Sequence, residues 1–417
     1  MSSRPVWLGP ALALATLSLL LAIVLHSVSG GREVGDDAPR LISLAEHPFA
    51  LFGEYEKVGI TPNFGSYPPL LPALFGTLVR PWLAVSSDFW GIRLGAFSWS
   101  LVVLLLIPVV ARAARASAAE TQHALWLFAL LPTVWGAVAL IPQEESYVAV
   151  YSIGLFLAAA TGPGWLLAPL FLLTVLAGKY FLLILAVPLA VFSAHPFRNL
   201  VLWVVPSLVA LVAYVAYHAL MFDHPTPILG HQAGSGTGTF SVWLLLWEAG
   251  LQPDLQLVKA TSVAITGSCV LGFCLLARRR GLDLLSTVTA SLYITLVTLY
   301  LSLPGYVLWV LPLMAVRVSM MRERRRRWTA AGLMVLWGVF EWGSNFFRGV
   351  SYALEAERGA GKEAIAAAAE QILGTGFPYH STFVLLTMLV PLCGVGLIAL
   401  LWRDARRHAP VDARLPE

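Results

Sequence analysis

The sequence predicts an all-α, polytopic integral membrane protein of about twelve transmembrane helices, with interfacial helices in its outer loops. Three observations carry that prediction. Of the 417 residues, 58% are hydrophobic and only 12% charged, whereas a soluble domain carries about 25% charged residues. Apolar runs recur from residue 7 to residue 402, against the roughly 20 residues that a helix needs to cross a ~30 Å hydrocarbon core. Basic residues also crowd into alternate loops, as the positive-inside rule requires. Soluble globular, disordered and nucleic-acid-binding classes are thereby excluded, in spite of a pI near 9.0. Cys269, Cys274 and Cys393 all fall within apolar runs, which excludes a disulfide framework and a zinc cluster of ordinary spacing.

In chain order, spans are expected at Trp7–Val28, Ile92–Ala111, His123–Ile141, Tyr147–Thr161, Trp165–Ala177, Tyr180–Ala194, Leu200–Met221, Ala260–Ala277, Leu284–Leu303, Gly305–Val318, Trp328–Ser344 and Thr382–Trp402. The first is too long for the apolar core of a signal peptide, and no small-residue cleavage site follows it. The 48 residues from Tyr147 to Ala194 need three short spans. Two would carry Arg278–Arg280 and Arg324–Arg327 to the outer side, against the charge bias. Spans this short require shelter from their neighbours or a thinned bilayer.

Both termini then lie inside. The inner segments hold 17 of the 27 basic residues, and 17 of the 23 acidic residues lie outside. Residues 1–402 form the transmembrane domain, with long outer loops at 29–91, 222–259 and 345–381, and residues 403–417 form a short basic cytoplasmic tail expected to be disordered. Every inner loop is short, so chemistry is expected at the extracytoplasmic face. The alanine-rich stretch Ser351–Leu373 predicts a helix at or above the interface. No inverted repeat of the transporter kind is visible. Ionisable side chains are almost absent from the span interiors, which counts against an ion or proton path.

The candidate residues follow from this sidedness. Asp36 and Asp37 stand a few residues after the first span, where paired carboxylates offer a general base or a metal ligand; the alternative is a solvated acidic loop. Some 30 residues on, Tyr67, Pro68, Pro69 and Leu70 open an interfacial or re-entrant helix, since proline suits a first helical turn. Glu144 and Glu145, between the third and fourth spans, would bind an acceptor or a shared Mg²⁺ or Mn²⁺ through hard oxygens. Their alternative role is to meet the positive end of a helix dipole. Lys179 is the only basic residue in a short outer connection. Its expected partner is the phosphate of a lipid carrier, with Arg40 and Arg93 as further candidates, and its alternative is snorkelling to the headgroups. Read from the residues alone, Tyr306 and Trp309 belong to an aromatic belt. The glycine-rich stretch from Gly230 to Thr239 lacks the Gly-Lys-Ser/Thr of a P-loop. Asp223, His224 and His231 are either metal ligands or solvent-facing loop residues.

At Asp36-Asp37-Ala38, at Pro68-Pro69-Leu70 and at the stretch from Trp90 to Ser98, the chain resembles the GT-C superfamily of polyprenyl-phosphate-sugar-dependent glycosyltransferases. The likeness is to the branch of protein O-mannosyltransferases and bacterial lipid A aminoarabinose transferases. The resemblance implies a GT-C-like fold in a bacterial inner membrane, with the active site on the extracytoplasmic face. It implies a polyprenyl-phosphate-linked sugar as donor and a lipid, glycan or protein hydroxyl as acceptor. Asp36 inherits the role of base or acceptor-orienting acid, with Asp37 close behind, and Glu144 and Glu145 match the place of a second acid. Tyr67 departs from the Lys that many relatives place before Pro-Pro-Leu, although other lipid-linked mannosyltransferases of the superfamily show Tyr there. Tyr67 and Tyr306 are taken as substrate-lining, and the resemblance implies that Tyr306 and Trp309 flank the site. The rival readings are a transporter or flippase of lipid-linked substrates, and a non-catalytic membrane assembly partner.

Overall fold

The computed structural model describes residues 5–29, 70–140, 142, 144–177, 179–222, 242–243, 246, 250–251, 254–300, 305–358 and 379–405, and every regular element among them is a helix. In chain order these are α1 (Leu8–Ser29), α2 (Leu70–Leu83), α3 (Asp88–Ala113), α4 (Ala118–Leu130), α5 (Pro132–Ala139), α6 (Glu145–Thr161) and α7 (Leu167–Leu176). A 3-10 segment, Tyr180–Leu185, leads into α8 (Ala186–Phe192), followed by α9 (Pro196–Phe222), α10 (Leu255–Arg279) and α11 (Leu284–Thr298). A further 3-10 turn, Tyr306–Trp309, precedes α12 (Leu311–Ser319), α13 (Arg324–Arg358) and α14 (Tyr379–Ala405).

Local chemistry explains where the elements start. Ser117 and Glu120 form a reciprocal capping box at the head of α4, which satisfies two backbone donors that the helix leaves open. Asp283 caps α11 by accepting the Ser286 N–H at 2.7 Å. Helix α2 begins directly after the Pro-Pro pair, with Pro72 in its first turn, as the sequence leads one to expect.

Among the described residues, five helical stretches are long and apolar enough to cross a membrane: Leu8–Ser27, Asp88–Ala113, Pro196–Ala216, Leu257–Arg279 and Leu385–Asp404. A sixth arises if α4 and α5, bent by 43° at their junction, count as one span. The described helices support a membrane protein and do not by themselves establish twelve full-length spans. The segments fall in the expected order, but several are short or broken. The run expected at His123–Ile141 breaks at Pro132, which has no N–H to continue the α4 ladder. The run expected at Gly305–Val318 divides into a 3-10 turn and a nine-residue helix with Pro312 in its first turn. In the other direction, α13 continues past Ser344 into the stretch expected to be an outer loop, and takes in residues 351–358 of the alanine-rich segment as one helix. The remainder of that segment and residues 406–417 lie outside the described residues.

Helix α13 packs along α14 and against α5, while α11 lies between α10 and α14. Large apolar side chains such as Leu19, Leu20 and Val24 of α1 and Val209 and Val212 of α9 point outward and are exposed. An apolar surface of that extent belongs against lipid. At one end of the bundle, buried Arg317 of α12 reaches Asp404 of α14 at 2.7 Å, lies 3.6 Å from Asp283 at the head of α11, and donates to the Ser286 hydroxyl. Three helices are joined there through one guanidinium, whose forked donors suit several acceptors at once.

Candidate functional site

The link between α5 and α6 and the break between α7 and the 3-10 segment Tyr180–Leu185 bring three charged side chains together. Glu144 is the residue before α6 and Glu145 its first residue. Lys179 follows the end of α7, where its own N–H donates to the Thr174 carbonyl at 2.9 Å. That closure turns the chain out of the helix and aims the lysine back towards α6. Its Nζ lies 3.0 Å from Glu144 Oε1 and 3.1 Å from Glu145 Oε1. Lys179 is only 3% exposed, and both carboxylates are equally buried. Lys179 is thus paired inside the bundle and does not snorkel, and a buried charge deprived of its partner is strongly destabilising.

The 3-10 turn that precedes α12 forms the next wall. The Trp309 indole N–H donates to Oε2 of Glu145, and the Ser152 hydroxyl of α6 donates to the Trp309 carbonyl. Tyr306 and Trp309 stack with centroids 4.4 Å apart and planes 24° from parallel. Lys179 Nζ lies 5.7 Å and 5.9 Å from their ring centroids, within cation–π range. Both rings are buried inside the bundle, so neither belongs to an interfacial aromatic belt.

Gly305 opens this turn in the left-handed conformation, with φ at +86°, which a side chain disfavours. Space requires glycine as well, since a Cβ there would stand 3.2 Å from Glu145 Cγ. The Gly305 N–H donates to Oε1 of Glu341 on α13 at 2.7 Å. Glu341 is 1% exposed. Sequence reasoning did not single it out, although the signal was present: it is the only charged residue in the apolar run Trp328–Ser344, and an ionisable residue within a span points to function by default.

Arg93 occupies a neighbouring position. It is buried, its Nε donates to the Ala139 carbonyl at the end of α5, one Nη donates to its own Phe89 carbonyl, both at 2.8 Å, and its guanidinium covers the Phe89 ring. Those bonds finish α5, five residues before Glu144. Asp36, Asp37, Arg40 and Tyr67 lie outside the described residues. The site therefore unites Glu144, Glu145, Lys179, Tyr306 and Trp309 among the predicted residues, and adds Gly305 and Glu341.

Lys179 stands between the two carboxylates, where an acceptor or a shared divalent cation was expected. Among the described residues, no group of three or more His, Cys, Asp or Glu side chains is arranged to hold a metal ion. Chemically, the cluster is an ammonium held by two carboxylates, one of which also accepts an indole N–H, in surroundings where each charge acts strongly. An anion that replaced a carboxylate would meet both donors at once. Compared with protein-family models, curated proteins and solved structures, the chain gives no match.

Proposed function

We propose that this chain is an integral membrane glycosyltransferase of the GT-C type. It takes a sugar from a polyprenyl-phosphate donor at the extracytoplasmic face of a bacterial inner membrane and transfers it to a hydroxyl of a lipid, glycan or protein acceptor. The helical segments thread the membrane in the expected order with both termini in the cytoplasm, the shorter ones sheltered by the long helices around them. The observation that supports this reading best is the meeting of Lys179 with Glu144 and Glu145. All three come from links assigned to the same side as Asp36, and Tyr306 and Trp309 close over them.

In this scheme Lys179 exchanges its carboxylate partners for the donor phosphate, assisted by Arg40 and Arg93, and so stabilises the lipid phosphate as it leaves. Asp36 removes the acceptor proton, and Asp37 orients the acceptor. Glu144 and Glu145, released from Lys179, accept hydrogen bonds from acceptor hydroxyls. The test is to incubate the purified full chain with a panel of polyprenyl-phosphate sugars and follow release of the free lipid phosphate. Asp36→Asn keeps the shape and loses the base, so turnover should fall by roughly 10²–10⁴-fold. Full activity in the Asp36→Asn, Asp37→Asn double variant would remove these acids from the scheme.

The transporter reading draws support from one observation, the burial of Glu341 together with the lysine–carboxylate cluster inside the bundle. Proteoliposomes separate the two, since a flippase moves the intact lipid and releases no phosphate.

A further inference from the structure

We infer that Glu341 is a positioning residue for Lys179, acting through the turn from Gly305 to Trp309. The inference deepens the glycosyltransferase reading, in which Lys179 holds the donor phosphate, and extends it to a residue on a distant helix. The connection is continuous. Helix α13 is fixed along α14 and α5, so the Glu341 carboxylate has a rigid base. Its Oε1 accepts the Gly305 N–H at 2.7 Å and pins the one left-handed residue that starts the turn. Ser152 holds the far end of the same turn at the Trp309 carbonyl. Between those two anchors the Trp309 indole grips Glu145, and Glu145 with Glu144 grips Lys179. Contact between Gly305 and the Glu145 side chain is close as well, so a displaced turn must move that carboxylate.

Loss of the Glu341 acceptor leaves a buried N–H without its carboxylate, and the turn relaxes at its Gly305 end. Lys179 should then become accessible while the rest of the bundle stays in place. Acylation of lysines by an amine-reactive acetyl ester, followed by mass spectrometry on the full chain in lipid nanodiscs, reads this directly. In Glu341→Leu, Lys179 should react roughly tenfold faster, the size expected when a buried backbone N–H is left unsatisfied. Lys57 and Lys362 serve as internal references and should not change. Glu341→Gln keeps an acceptor oxygen and should restore Lys179 protection to within about twofold.

Unchanged Lys179 protection in Glu341→Leu would overturn the inference, and so would equal loss in the Leu and Gln variants. If the Leu variant does not fold, Glu341→Asp, shortened by one methylene, carries the same expectation and the same refutation. No donor or acceptor is present in the measurement. A wild-type chain that fails to release lipid phosphate thus defeats the glycosyltransferase reading alone, and the labelling pattern tests the positioning alone.

Discussion

At Lys179, one ammonium balances two carboxylates in a site almost sealed from solvent. Removing one partner of such a group costs about 3–5 kcal/mol, because the remaining charges stay buried without compensation. Lys179→Met should therefore lower the stability of the full chain by about that amount in denaturant unfolding. Glu144→Gln alone should cost less, since Lys179 keeps Glu145, and adding it to Lys179→Met should recover part of the loss. Additive losses in the double variant would mean that the three groups do not act as one unit. Sequence pattern singled out all three residues but not their union. Lys179 stands 35 and 34 positions from its partners, and neither periodicity nor charge bias reports a contact at that separation. Glu341 escaped notice for a related reason: the charge bias assigned it to the outer end of a span, whereas tertiary packing draws it inside.

Among the elements, the crossing of α2 and α3 has a legible cause that the sequence presented in another guise. The stretch from Trp90 to Ser98 resembles a family motif, but its glycines answer to packing. Gly91 and Gly95, one turn apart, let α2 approach so closely that a Cβ at Gly95 would lie 2.5 Å from Val79 Cγ2 and 2.9 Å from its Cα. Small residues at this spacing are the usual means of close helix contact in a membrane. Because the obstruction includes backbone, Gly95→Ala must push the helices apart, and a loss of about 1–3 kcal/mol is expected. Gly332 on α13 provides the contrast, since a Cβ there meets nothing within 4 Å. Gly332→Ala should be neutral or stabilise by up to about 1 kcal/mol through helix propensity. Thermal unfolding of the two variants beside the parent decides it, and equal effects would remove the packing argument.

Across the whole molecule, the order of the helical segments was readable from hydropathy, but their lengths were not. Hydropathy marks where apolar residues begin and end; it does not show that Pro132 or the Gly305 turn interrupts the helix between them. The consequence is functional. Trp309 and Arg317 are eight residues apart along the turn and α12, roughly 12 Å of helix. The lysine–carboxylate site therefore lies close to the Arg317–Asp404 pair when measured against a ~30 Å hydrocarbon core. Under the proposed function the lipid-linked phosphate of the donor enters from the outer side, which requires that the long loops and the Lys179 link share that side. That sidedness yields the last prediction. In a background without Cys269, Cys274 and Cys393, single cysteines at Ser66 and Ser235 should react with a membrane-impermeant maleimide in intact cells. A cysteine at Ala119, in the first turn of α4, should react only after the membrane is opened. Cys269 has to be removed because it is exposed on α10. Protection of both outer positions, or labelling at 119 in intact cells, would invert the topology and set Lys179 and its carboxylates on the cytoplasmic side. A lipid-phosphate donor presented from outside could not then reach them.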